Sequence, residues 1–131
     1  MSGQKRILVV DDEQEIAKML QQALEQVGYR VDCAIDGKAA IQAVHDHIYD
    51  AAIMDFALPD MNGLMVHREI RQMDEELANN TLFCSGYVQS DQNLGYYSTY
   101  GVGFLSKPFN LQEVIDSLEA MWVVDEPYGS T

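Results

Sequence analysis

Ile7-Leu8-Val9-Val10 is an unbroken apolar run stopped by Asp11-Asp12-Glu13, and comparable runs return at Ala51–Asp55, Thr81–Ser85 and Gly103–Ser106. A short continuous apolar run reads as a strand covered on both faces. Tyr29–Ile35 adds a further strand before the Asp36-Gly37 turn. Between the strands the apolar spacing changes to three and four residues, the period of a helix with one buried face. Ile16, Met19, Leu20, Ala23, Leu24 and Val27 define the first helix, with Asp12 as its expected cap and Gly28 as its stop. Lys38–His47 follows with Ala40, Ile41 and Val44 inward. After the loop Leu58-Pro59-Asp60-Met61-Asn62-Gly63, a helix to about Met73 carries Leu64, Val66, His67, Ile70 and Met73. Gln89–Tyr100 reads as a less periodic helix interrupted by Gly95, and Leu111–Met121 as a final amphipathic one. Five alternations of strand and helix require right-handed crossovers that cover both faces of a parallel sheet. The predicted fold is a doubly wound α/β domain.

At 131 residues the chain is one domain, large enough to bury a core without disulfides or a structural metal. It carries 21 acidic against 8 basic side chains, a net charge of −13, but only 22% of its residues are charged and 47% are apolar. That apolar content separates it from disordered acidic tails, which cannot build a core. The charge excludes nucleic-acid binding by this chain alone, since such binding needs cations to neutralise phosphates; anionic membranes repel it equally. The longest apolar run, Ala120–Val124, falls far short of the roughly 20 residues of a membrane span. Lys5-Arg6 precede an apolar stretch, but Asp11 ends it too soon for a secretory signal, so a cytoplasmic location is expected. Cys33 and Cys84 lie in strand-like segments and are expected to be buried, reduced and packed as small hydrophobes.

Open parallel sheets bind ligands beyond the carboxyl ends of their strands. Those ends present Asp11-Asp12, Asp55, Ser85-Gly86 and Lys107-Pro108. Taken singly, Asp11-Asp12 fits a helix cap, Asp55 a turn and Lys107 a surface lysine with its stem on apolar neighbours. Together they put three carboxylates, a hydroxyl and an ammonium on one rim. Crowded carboxylates repel unless a cation shares the site, and Mg2+ suits an oxygen-only set that leaves room for water and phosphate oxygens. Mg2+ with Lys107 balances the three carboxylates. Lys107 is also the sole Lys or Arg after Arg71, in a stretch with nine acids. An aspartyl nucleophile in such surroundings fits phosphoryl transfer, where positioning and charge stabilisation carry the chemistry. His45, His47 and His67 fall on helices away from this rim and are not read as metal ligands.

Four segments in order, Ile7–Glu13, Ile53-Met54-Asp55 with Pro59–Gly63, Phe83–Gly86 and Phe104-Leu105-Ser106-Lys107-Pro108-Phe109, resemble a response-regulator receiver domain. The resemblance covers about residues 5–121, leaving 122–131 as a C-terminal tail or the start of a linker. It implies a flavodoxin-like five-stranded parallel sheet in order 2-1-3-4-5, with helices on both faces. It implies Asp55 as phosphoacceptor, taking its phosphoryl group from a sensor histidine kinase or a histidine phosphotransfer protein. Asp12, Asp55 and the Ala57 backbone carbonyl would be direct Mg2+ ligands, with Asp11 acting largely through bound water. Ser85 and Lys107 would contact the phosphoryl oxygens, and Lys107-Pro108 is commonly cis in this family. Ser85 and Phe104 would form the switch, Ala57 and Tyr87 would tune dephosphorylation, and the Gln89–Tyr100 helix, fifth strand and last helix would form the output face, including Tyr96, Tyr97, Tyr100 and Phe104. Such a strand order separates Cys33 from Cys84 by about 14 Å, beyond the roughly 7 Å reach of a disulfide.

The implied function is a phosphorylation-dependent signalling switch that assists its own phosphorylation and dephosphorylation without being an enzyme. Its partners would be a downstream protein or fused output domain, with a phosphorylation-dependent homodimer as a further possibility. Two other readings are a piece of a larger regulator and a receiver used as an unphosphorylated docking module. A flavodoxin-type cofactor binder needs a phosphate loop where Asp11-Asp12-Glu13 would repel phosphate. An aspartyl phosphatase puts its nucleophile and acid two residues apart after the first strand, whereas the nucleophile expected here, Asp55, ends the third.

Overall fold

The computed structural model describes residues 4–85 and 103–124, leaving out the side chains of Ser85, Val123 and Val124. Its elements are β1 (Arg6–Val10), α1 (Gln14–Gln26), β2 (Arg30–Ala34), α2 (Gly37–Asp46), β3 (Ala51–Asp55), α3 (Gly63–Met73), α4 (Glu75–Asn79), β4 (Thr81–Ser85), β5 (Gly103–Ser106) and α5 (Leu111–Val124). The five strands form one parallel sheet in the order β2-β1-β3-β4-β5. Side chains alternate across it. Leu8, Val10, Ala52, Met54 and Phe83 bury one face with residues from α2, α3 and α4, while Ile7, Val9, Ile53, Leu82 and Cys84 bury the other with Leu20, Leu24, Val114 and Leu118 of α1 and α5. Continuous apolar runs are therefore required, because each central strand has no solvent side.

The three later strands occupy the residues their patterns predicted. Helix faces are less regular: Ala17, Leu20 and Leu24 are buried on α1, whereas Met19 and Val27 are exposed. Gly28 ends α1 with φ +105°, a conformation that costs other residues about 1–2 kcal/mol. Asp12 is not the cap. Glu13 holds that position without a side-chain cap bond, and the Glu13 N–H is instead taken by Asp11 Oδ1 at 2.8 Å.

Helix α4 has no counterpart in the sequence reading, since five residues are too few to display a period. The Asp74 carboxylate caps it on the Leu77 N–H, and Leu77 and Ala78 enter the core. Against α4 lies His67, fully buried, with Nε2 donating to the Ala78 carbonyl at 2.8 Å. Cys84 is buried as expected but Cys33 is exposed, because β2 is an edge strand that its flanking helices cover incompletely. Helix α5 runs three residues past its expected end. Met121 and Trp122 pack onto the core, the Trp122 indole N–H donates to the Tyr29 hydroxyl at 2.8 Å, and the Lys5 ammonium sits 4.5 Å from the Trp122 ring centre. The expected Gln89–Tyr100 helix and residues 125–131 lie outside the described residues.

Candidate functional site

β1 and β3 are neighbours, so their carboxyl ends bring Asp11 and Asp55 together at the rim. Both carboxylates are buried, whereas Asp12, one residue farther along, is exposed. Asp11, Asp12 and Asp55 each offer an oxygen, and these oxygens all lie within 4.8 Å of one another. Unit charges at that separation repel by about 3 kcal/mol per pair at an effective dielectric near 20.

Lys107 enters from the end of β5, joined to Pro108 by a cis peptide bond. Its ammonium donates to Asp11 Oδ2 and Asp55 Oδ2, each at 3.0 Å, and to Glu13 Oε1 at 3.2 Å. Burial opposes the charge on Lys107, yet hydrogen bonds to Asp55 and Asp11 prevail and hold its pKa well above the usual lysine range. Asp11 shows the opposite balance: burial raises its carboxyl, and the Glu13 N–H and Lys107 offset only part of that. One ammonium thus leaves crowded carboxylates incompletely compensated. The donor set is entirely hard oxygen, which fits Mg2+.

Asp55 Oδ1 accepts the Ala57 N–H at 3.1 Å, which orients the carboxylate at the strand end. Ala57 is exposed at the start of the loop that leads to α3. Ser85 ends β4, its backbone in register with Ser106, one residue beyond the Asp55–Cys84 pair; its side chain is outside the described residues. Phe104 is half-buried in β5 beside Phe83 and packs against the core on the α3 face. Gly86, Tyr87, Tyr96, Tyr97 and Tyr100 lie outside the described residues. Sequence reasoning missed Glu13. Its position after Asp12 was the available signal, but only the path of Lys107 makes it a partner. A groove of about 440 Å3 opens beside it, lined by Glu13, Ile16, Met19, Lys107, Pro108 and Phe109.

Residues 7–119 match the family model of the response regulator receiver domain. The chain belongs to this family. Receiver domains are phosphoacceptor signalling modules of two-component systems and bind Mg2+ at an acidic site. The chain is 34% identical over 116 residues to the transcriptional regulatory protein TctD of Salmonella typhimurium, covering 88% of this chain and 51% of TctD. It thus spans about half the length of that curated relative. A CheY-like response regulator receiver domain protein of Methanospirillum hungatei superposes with a TM-score of 0.85 at 25% identity, over 94% of this chain and 98% of that one. The response regulator TrrA of Thermotoga maritima, solved in complex with Mg2+-BeF, superposes with a TM-score of 0.76 at 30% identity, over 89% and 98% of the two chains. The flavodoxin-like receiver fold is common to all three.

Proposed function

We propose that this receiver domain accepts a phosphoryl group on Asp55 from a phosphohistidine, in a sensor histidine kinase or a histidine phosphotransfer protein, and thereby changes partner binding in the cytoplasm. The observation that carries the reading is the Lys107 ammonium, 3.0 Å from both Asp11 and Asp55 in a rim of three converging carboxylates. An Asp55 oxygen attacks phosphorus as the phosphorus–nitrogen bond breaks. The electron pair of that bond returns to the donor imidazole, and an acyl phosphate forms. Lys107 trades a carboxylate for a phosphoryl oxygen, so its charge stays compensated throughout. Mg2+ held by Asp12, Asp55 and the Ala57 carbonyl, with Asp11 acting largely through water, would supply the remaining neutralisation of the phosphoryl oxygens.

Ser85 is the second phosphoryl contact and, with Phe104, the switch. Phe104 lacks a hydroxyl, so its rotamer is coupled by packing alone. Ala57 and Tyr87 tune dephosphorylation, the small Ala57 by leaving room for hydrolytic water and the larger Tyr87 in the opposite direction. The output face comprises the Gln89–Tyr100 segment with Tyr96, Tyr97 and Tyr100, then β5 and α5, and presents the signal to a downstream protein, a fused output domain or a second copy. The domain spans 5–121, with 122–131 as tail or linker. The half-length match to TctD fits a regulator with an output domain, and a match over 98% of the receiver protein CpdR of Brucella abortus fits a receiver acting on a separate downstream protein.

The test is mass spectrometry after incubation with Mg2+ and acetyl phosphate. One phosphate adduct is expected in the parent and none in Asp55→Asn; no adduct in the parent would favour the unphosphorylated docking module.

A further inference from the structure

The first turn of an α-helix leaves four N–H groups without helical partners. In α2 three of them, on Gly37, Lys38 and Ala39, are taken by side chains, two of these from a distant part of the chain. Asp36 accepts the Ala39 N–H at 2.7 Å through its carboxylate and the Ala40 N–H at 3.1 Å through its carbonyl. The Gly37 and Lys38 N–H groups go instead to Asp60, Oδ1 and Oδ2 respectively, each at 2.9 Å. Asp60 is exposed and belongs to the loop between β3 and α3 that also carries Ala57. Its two oxygens span two successive amides, a fixed geometry rather than a loose surface contact. The Gly37 and Lys38 N–H bonds hold its carboxyl below the usual aspartate range.

The fit next to this clasp is tight. A Cβ on Gly37 would meet Met61 Cγ at 2.5 Å and Val66 Cγ2 at 2.8 Å, so only glycine lets α2 approach the loop this closely. The inner part of the loop is tied separately. The Phe56 N–H donates to the Cys84 carbonyl, the Gly63 N–H to the Phe56 carbonyl, and Ala57 bridges to Asn62. Asn62 caps α3 on the Met65 N–H at 2.9 Å. The segment from Leu58 to Met61 is thereby stretched between the Ala57–Asn62 bridge and the amino end of α2.

We propose that Asp60 is a positioning residue for the phosphoacceptor site. By clasping α2 it sets the path of the 56–62 loop, and so the place where Ala57 offers its carbonyl to Mg2+. The inference rests on the metal-ligand reading of Ala57 given above. Groups hydrogen-bonded directly to a metal ligand commonly cost about tenfold or more in metal affinity when lost, and Asp60 acts one link farther out, through the Leu58–Met61 backbone. Asp60→Ala removes both acceptors. Asp60→Asn keeps one good capping oxygen but turns its amide N–H2 toward the second N–H.

The experiment is calorimetric Mg2+ titration of the full chain at about 0.15 M salt, where exposed charges are well screened, with urea unfolding of each variant in EDTA. Asp60→Ala is expected to raise the Mg2+ Kd by about threefold to tenfold, at or below the effect of a group bonded directly to a ligand, and Asp60→Asn by clearly less. Equal losses in the two variants would mean that only the charge mattered, and would overturn the proposal. So would Mg2+ affinity within about twofold of the parent in both, even with lowered stability, since a merely structural cap behaves that way. If Asp60→Ala does not fold, Asp60→Glu takes its place, since it keeps the charge but moves both oxygens off the Gly37 and Lys38 amides: a raised Kd supports the proposal and one within about twofold of the parent overturns it. A parent that binds no Mg2+ would refute the metal site itself, a failure recognisable because it precedes any comparison of variants.

Discussion

Lys107→Met is the sharpest test of the electrostatic design at the rim. The substitution keeps the length of the stem and removes the ammonium. In the parent the Lys107 side chain is 14% exposed and faces Asp11 and Asp55 carboxylates that are 5% and 8% exposed. Leaving a buried charge without its partner costs about 3–5 kcal/mol. A second limit applies, because the orphaned pair can relieve itself by binding a proton. Raising a carboxyl from its ordinary pKa near 3.9 to be protonated at pH 7 costs about 4 kcal/mol. The Glu13 pairing adds little, since that carboxylate is largely in water. The expected loss at pH 7 in EDTA is thus about 3–4 kcal/mol, or a fall in Tm of about 10 °C or more for a domain of this size. The sign of the pH effect follows from linkage. The folded variant holds a proton that its unfolded chain gives up above about pH 4, so acidification favours its folded state. At pH 4.5 the gap to the parent should shrink to about 1 kcal/mol. Urea unfolding at the two pH values measures both quantities. A loss under about 1 kcal/mol at pH 7, or an equal loss at both pH values, would refute the account of Lys107 as the cation on which two buried carboxylates depend.

Burial holds the His67 imidazole below its usual pKa, and the pull of the Ala78 carbonyl in the other direction is weaker. The unfolded chain therefore takes up a proton below about pH 6.5 that the folded chain refuses. Stability should fall between pH 7 and 5.5, and His67→Gln, which still has a donor for Ala78, should flatten that slope in urea midpoints. The cysteines should also separate by environment. Exposed Cys33 should be titrated by a thiol reagent in the native protein. Cys84, buried and pushed up to about 12 chiefly by desolvation, should react only after unfolding; two fast native thiols would contradict its burial.

The fold was legible because a parallel sheet covered on both faces leaves no solvent side to its central strands. Ile7–Val10 and Ala51–Asp55 therefore announce themselves as apolar runs, and the intervening spacing of three and four follows from helices with one dry face. Asp11, Asp12, Asp55 and Lys107 were equally legible, since each sits where an apolar strand stops. Features that depend on where distant segments meet were not. Helix α4 was too short to show a period, and Asp12 lost the cap position because the helix begins one residue later, its first helical bond running from the Ala17 N–H to the Glu13 carbonyl. Cys33 looked like a core residue by its strand context but lies on an edge strand, and edge position is a property of the sheet order. Glu13 and Asp60 gained their partners across 94 and 22–23 residues of chain. Local sequence encodes which side chains point inward and where each strand ends. Tertiary structure alone decided which charges share an ammonium and which loop is clasped to which helix, because those contacts depend on crossover geometry rather than on any pattern along the chain.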